Sequence, residues 1–374
     1  MTDIQAVILA AGEGTRLRPL TKNRPKVMLP VANRPILEHV LNSVVAAGIR
    51  DITVVVGYRK EQVMTFLNTY PIPVNVVVQD KQLGTAHALS MAKEYVHTKT
   101  LVLAGDNYID PESLRSILDK DNALLVARHI SPSNFGVIFG DDGNLTRIVE
   151  KPADVPPGAL VSCGVYIFTQ EFIQKIREQT IPESLQNRIK EGMQISIVAA
   201  SDWQDAVSPN DLLSVNKHLL RQVVDSVSGT IDKCVTVQGH AVIGKKNSLG
   251  PGTVIHGPVV IGEGGKIGPH VYIGPNTCIG SRVTIEPFTC IENSIIMNDC
   301  VIGSHSRIVD TIMGEGCICR DHLSSFSEKS SSVCGDRVTI GPFTAIKDGV
   351  IGNNASIEGG KLLEKEIPDN TLVM

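Results

Sequence analysis

Short apolar runs alternate with amphipathic stretches through the first hundred residues. Ile4–Leu9, Ile52–Val56, Val74–Val78 and Leu101–Ala104 have the length and composition of strands buried on both faces. Between them, apolar residues recur at helical spacing near Ile36–Ala47, Glu61–Leu67 and Thr85–Tyr95. This alternation predicts a mostly parallel sheet with helices on both faces. Sheets of that kind bind ligands beyond the carboxyl ends of their strands.

A second pattern begins past Gly229. Aliphatic residues recur every six positions at Ile243, Leu249, Ile255, Ile261, Ile267, Ile273, Ile279, Ile285 and Ile291, then Met297, often with glycine directly after. A six-residue period fits neither a helix nor a plain strand. It predicts a parallel β-helix with the aliphatics pointing inward. The phase slips by one to Ile302 and Ile308, and Cys317–Ser332, with Arg320-Asp321-His322 and a run of serines, reads as a loop. Repeats return at Ile340, Ile346, Ile351 and Ile357. An apolar stripe over Leu212, Leu213, Val215, Leu219, Leu220, Val223 and Val224 predicts a helix, capped by Asn210 or Asp211, before the repeats. The expected division is therefore 1–227 and 228–374.

Length and charge narrow the class. A chain of 374 residues is too long for one ordinary domain, and a net charge of −4 argues against a nucleic-acid partner. No apolar run is long enough to span a bilayer, and the start lacks a leader pattern, so a soluble cytoplasmic protein with no membrane partner is expected. The eight cysteines form no C-x-x-C pair, and the lone Cys317, Cys319 spacing lacks a second ligand pair. Buried thiols in a reducing compartment are expected.

The candidate chemistry falls after the strands. Leu9-Ala10-Ala11-Gly12-Glu13-Gly14-Thr15-Arg16 follows the first, with Pro25-Lys26 shortly beyond. Two glycines one residue apart let backbone N–H groups approach a phosphate chain, and Arg16 and Lys26 add positive charge. A dinucleotide fingerprint would need glycine at Leu17, and a P-loop would end in Gly-Lys-Ser/Thr, where this loop runs Gly14-Thr15-Arg16. Gln79 to His87 follows the third strand and Gly105-Asp106-Asn107 the fourth. Three polar segments thus converge on one edge.

Leu9–Leu17 with Arg24-Pro25-Lys26-Val27-Met28-Leu29-Pro30 resembles the signature of the sugar-1-phosphate nucleotidylyltransferases. Gln82-Leu83-Gly84-Thr85-Ala86-His87-Ala88 is similar to the N-acetylglucosamine-1-phosphate uridylyltransferases more than to the thymidylyltransferases. The resemblance implies that Leu9–Thr15 holds a nucleoside triphosphate and that Gln79, Gly84 and Thr85 read its base. It implies Arg16, Lys26 and Lys151 as the catalytic cations, with Asp106 and Asp205 holding Mg²⁺. Gly136, Glu150 and Ser162 would hold the sugar 1-phosphate. Ser162 stands where the family more often has asparagine, and Val207 where it often has glycine.

The implied architecture is α/β: a Rossmann-like, mostly parallel sheet domain followed by a left-handed parallel β-helix, a coil that commonly assembles as a homotrimer. The implied reaction is transfer from UTP or dTTP to N-acetylglucosamine 1-phosphate or glucose 1-phosphate. In bifunctional relatives the β-helix acetylates glucosamine 1-phosphate from acetyl-coenzyme A. Ser304-His305-Ser306 resembles that site, with His305 as its catalytic residue, but Arg307-Ile308 replaces the neighbouring tyrosine and the Asn-rich, Arg-containing loop that follows in the family has no match. A scaffold role for the β-helix is favoured, with an acetyl-transferring enzyme and a non-catalytic regulatory paralogue as rivals.

Overall fold

The computed structural model describes residues 4–374. Two compact units divide them. The first contains the chain up to Glu13, Arg24–Met28 and Ile36–Asp205; the second contains Gly14–Asn23, Leu29–Pro35 and Ala206–Met374.

The first unit is built on β1 (Ile4–Ala10), β2 (Ile52–Val56), β3 (Asn75–Val78), β4 (Lys99–Ala104), β5 (Asn107–Ile109), β6 (Ala123–Arg128), β7 (Gly136–Asp141), β8 (Asn144–Glu150), β9 (Leu160–Thr169), β10 (Ser196–Ala199) and β11 (Trp203–Asp205). Nine of these form one sheet in the order β3-β2-β1-β4-β9-β6-β10-β8-β7. The pairings β3–β2, β2–β1 and β1–β4 are parallel, so their carboxyl ends share one edge. Strand β9 runs antiparallel beside β4, which carries its Ser162–Gly164 portion past that same edge. The β-branched runs follow from burial on both faces: every residue of β2 is buried. The helix expected over Thr85–Tyr95 ends at Met91, and a tighter turn spans Lys93–Tyr95.

The long final portion of the second unit, Ala206–Met374, opens with the helix Pro209–Leu220, which ends short of Val223 and Val224 of the expected stripe, and Val224 is exposed. Its N-cap is Ser208 rather than Asn210 or Asp211: the Ser208 hydroxyl accepts from the Asp211 amide, and the Asp211 carboxylate accepts from the Ser208 amide. Beyond it, strands of two or three residues stack into three parallel sheets, the left-handed β-helix. Successive coils are 18 residues apart where Tyr272 pairs with Cys290, then 17 where Cys290 pairs with Arg307, which is the phase slip visible in the sequence. Ile255, Ile273, Ile291, Ile308 and Ile346 fill the interior with no exposed surface. Truncating Ile291 to alanine is expected to cost about 2–5 kcal/mol, because the coils above and below cannot collapse into the void. Urea denaturation checks this; an unchanged midpoint would mean that interior packing does not set the coil's stability.

The expected loop at Cys317–Ser332 is corrected. Ile318–Cys319, Ser324–Phe326 and Ser332–Cys334 are regular coil strands. Cys317, Cys319, Ser325 and Cys334 take the interior places that aliphatics hold elsewhere, and Ser325 Oγ hydrogen-bonds Thr311 Oγ1 at 3.0 Å. A small polarizable thiol or a paired hydroxyl is tolerated at these interior places, so the coil continues although the aliphatic signal fades. Irregular chain is confined to residues 327–331, where the Glu328, Lys329 and Ser330 amides donate to one oxygen of Asp348. The thiols are free, and burial pushes the Cys334 thiol up to about 12.

Candidate active site

The parallel strands place the loops. Gly105 N donates to Leu9 O, Tyr58 N to Ala11 O and Gln79 N to Val56 O, which ties together the chain leaving β1, β2, β3 and β4. Leu9 and Ala10 end β1, Ala11 is buried, and Gly12 is exposed with open space where a side chain would stand. That is the room a bound phosphate chain needs. Gly14, Thr15 and Arg16 belong by their contacts to the second unit, where Gly14 (φ 77°) opens a short 3₁₀ turn.

The charged centre of the first unit joins residues far apart in the chain. Strand β11 pairs with β5 so that Asp205 stands opposite Asn107, the neighbour of Asp106. Lys26 Nζ then lies 2.8 Å from Asp106 Oδ2 and 3.2 Å from Asp205 Oδ1. Lys26 is 8% exposed. Burial works against its ammonium, but attraction and hydrogen bonds from the two carboxylates outweigh that and raise its pKa above the ordinary lysine value. Lys26 is therefore charged at any physiological pH. Asn107 Nδ2 donates to Cys163 O at 3.0 Å, while its buried Oδ1 has no partner.

The expected base-reading residues form one braced corner. Gln79 is buried, and its Nε2 donates to Gly84 O at 3.1 Å and stands 2.9 Å from His87 Nδ1. Thr85 Oγ1 accepts from Ile181 N, and Gln179 O accepts from the amides of Ala86 and His87. The Thr85 oxygen thus serves the chain's own scaffold, and backbone groups near Gly84 remain the base-facing candidates.

The brace was not visible in the sequence. It hangs on Glu178, whose carboxylate accepts from Asn187 Nδ2 (2.8 Å), Ser184 Oγ (2.9 Å) and Arg177 N (3.0 Å). Burial raises its pKa, but these hydrogen bonds win and hold it at about 2 against an ordinary 4.5. Folding therefore favours the ionised form. The stabilisation is complete above about pH 5 and disappears as pH falls through about 2. The Glu178→Gln variant should unfold more easily than the parent at pH 6, with the gap shrinking toward pH 3; a gap independent of pH in urea titrations would contradict this.

The sugar-side candidates lie on β7, β8 and β9. Gly136 pairs with Glu150, and a Cβ added at Gly136 would come within 3.1 Å of Glu150 Oε2, so the glycine leaves the carboxylate room close to the strand. Lys151 Nζ is 3.2 Å from Glu150 Oε1, and both side chains are about half exposed. Ser162 Oγ lies 3.0 Å from the Tyr166 hydroxyl and accepts from Gly164 N. Burial pushes the Tyr166 phenol up to about 12. The Ser162 hydroxyl is thus engaged within its own strand.

His305 sits in the second unit at a left-handed turn (φ 56°), stacked between Phe288 and His322 with ring centroids 5.0 Å away on each side. Glu286, Ser304, Arg320 and Asp321 line a cleft of about 500 Å³ beside it.

Residues 5–222 match the nucleotidyl transferase family. The chain belongs to that family. Residues 255–367 match the GMPPB C-terminal domain. The chain is 32% identical to the bifunctional protein GlmU of Methanocaldococcus jannaschii, over 99% of this chain and 97% of that protein. It is 35% identical to the bifunctional protein GlmU of Methanococcus maripaludis strain C5 over 64% of this chain, and so spans about 60% of that relative's length. Glucose-1-phosphate thymidylyltransferase of Streptomyces antibioticus is 32% identical over 70% of this chain and 78% of its own. A crystal structure from Bacillus anthracis aligns with a TM-score of 0.54 at 24% identity, over 60% of this chain and 98% of its own, which shows the shared fold.

Proposed function

We propose that this protein is a Mg²⁺-dependent sugar-1-phosphate nucleotidylyltransferase. UTP or dTTP would be the donor, and N-acetylglucosamine 1-phosphate or glucose 1-phosphate the acceptor. The observation that carries the reading is Lys26 held between Asp106 and Asp205 at the carboxyl edge of the sheet.

In the reaction a phosphate oxygen of the sugar 1-phosphate attacks the α-phosphorus of the triphosphate. The bond to the bridging α–β oxygen breaks, and pyrophosphate leaves with that electron pair. The attacking group is already an anion, so no protein nucleophile is required, and catalysis is positioning plus charge neutralisation. Lys26 and Arg16 would stabilise the triphosphate and the departing pyrophosphate. Lys151 would hold the attacking phosphate, and Glu150 and Ser162 the sugar hydroxyls.

Asp106 and Asp205 converge on one cation, and among the described residues no group of three or more His, Cys, Asp or Glu is placed to hold a metal. A pair of carboxylates suits an ion that completes its shell from phosphate oxygens and water, which is the habit of Mg²⁺. Bound there, the ion would supply further charge neutralisation on the triphosphate.

Pyrophosphate release across a grid of nucleoside triphosphates and sugar 1-phosphates tests the reading. Release with UTP or dTTP and one of the two named sugars is expected. Silence across the whole grid would overturn it.

A further inference from the structure

One corner of the β-helix carries a ladder of polar side chains. In its last coils Glu315 N donates to Asp336 Oδ1 (2.9 Å), Asp336 N to Asn353 Oδ1 (2.6 Å) and Asn353 N to Asp369 Oδ1 (2.8 Å). Each of these three side chains spends one terminal atom on the coil below. Each turns its other terminal atom to the segment Gly14–Asn23, which belongs to the same compact unit.

Asn23 Nδ2 donates to Asp336 Oδ2 at 3.1 Å, Asn353 Nδ2 to Pro19 O at 3.2 Å, and Lys22 Nζ to Asp369 Oδ2 at 2.5 Å. Asp336 and Asn353 are 5% and 3% exposed. Buried polar groups are costly unless paired, and Asp336 Oδ2 and Asn353 Nδ2 each find a partner on the segment.

The segment is itself wound tightly. Leu17 N donates to Gly14 O, Leu20 N to Leu17 O and Lys22 N to Pro19 O, while Thr21 Oγ1 donates to Gly14 O at 2.8 Å. Leu17, Leu20 and Thr21 are buried. Few conformations satisfy both these turns and the three side-chain grips. Arg16 rides on this segment.

We propose that Asp336, Asn353 and Asp369 are positioning residues that fix the conformation of the segment bearing Arg16. The β-helix thereby serves nucleotide binding through the segment that it holds. This rests on the assignment of Arg16 to the triphosphate. Pre-organising a loop raises affinity by removing the ordering cost that ligand binding would otherwise bear.

The test is the double variant Lys22→Met, Asn23→Ala, which removes two of the grips and leaves the ladder's own hydrogen bonds intact. Amide exchange at Leu17, Arg18, Leu20 and Lys22 should accelerate roughly tenfold or more as the segment opens locally. The dissociation constant for UTP and for dTTP, by calorimetry, should rise roughly tenfold for the one that binds. The KM for sugar 1-phosphate should stay unchanged. Lys22→Arg alone should retain tight nucleotide binding.

Unchanged exchange and unchanged affinity would overturn the proposal, as would faster exchange with unchanged affinity. A parent protein that binds neither nucleotide would instead overturn the functional reading, and the exchange rates would still report whether the segment is held.

Discussion

Replacing Lys26 by alanine should lower kcat/KM for pyrophosphate release by a factor on the order of 10²–10³, the usual cost of removing one preorganised charge-stabilising donor. The expectation follows from Lys26's placement, 8% exposed and within hydrogen-bond distance of Asp106 and Asp205. A flexible surface lysine could be replaced from solvent, but this one is held charged between the two carboxylates that the proposed function sets beside the triphosphate. Asp106→Asn should produce a loss of similar size, because it removes half of that carboxylate pair. Neither variant should unfold, since the sheet core of Ala6, Val7, Ile8 and Leu103 is untouched. Initial-rate assays beside circular dichroism check this. Full activity in a folded Lys26→Ala protein would remove the residue from the mechanism.

Gly84→Ala should weaken nucleotide binding about tenfold and destabilise the fold by about 1–3 kcal/mol, the range for a residue forced into sparsely populated backbone space. Gly84 has φ +119°, and a Cβ there would stand 2.4 Å from the carbonyl oxygen of Gln179. That carbonyl accepts from Ala86 and His87 at the start of the helix Thr85–Met91, so it cannot retreat without releasing the helix end. The clash therefore reaches the corner where Gln79 is tied to Gly84. The KM for the sugar 1-phosphate should hardly change. Thermal melting and separate KM values for the two substrates decide it; a variant with parental KM for nucleotide would show that this corner does not read the base.

How much of this was legible beforehand depends on the range of the interaction. The strands at Ile52–Val56 and the six-residue repeat were readable because burial imposes a local period on the side chains. The same rule misread Cys317–Ser332, where cysteine and serine occupy interior positions without an aliphatic signal. Lys26 and Asp205, 179 residues apart, could be named through family likeness, but their meeting at one ammonium comes from the pairing of β5 with β11. The Glu178 brace and the Asp336–Asn353–Asp369 corner left no trace in the sequence. Their residues look like ordinary polar surface until the fold turns them onto backbone amides. Ser162 shows a similar gap: its hydroxyl is already engaged with Tyr166 and Gly164.

The central claim is direct transfer, with the sugar phosphate itself attacking the nucleotide and no covalent intermediate on the protein. Exchange of labelled pyrophosphate into UTP or dTTP tests it most directly, measured with and without the NDP-sugar product. The account predicts exchange only when the NDP-sugar is present, because its sugar phosphate is the sole leaving group for the reverse reaction. Rapid exchange with nucleoside triphosphate and pyrophosphate alone would reveal a nucleotidyl–protein intermediate and contradict it.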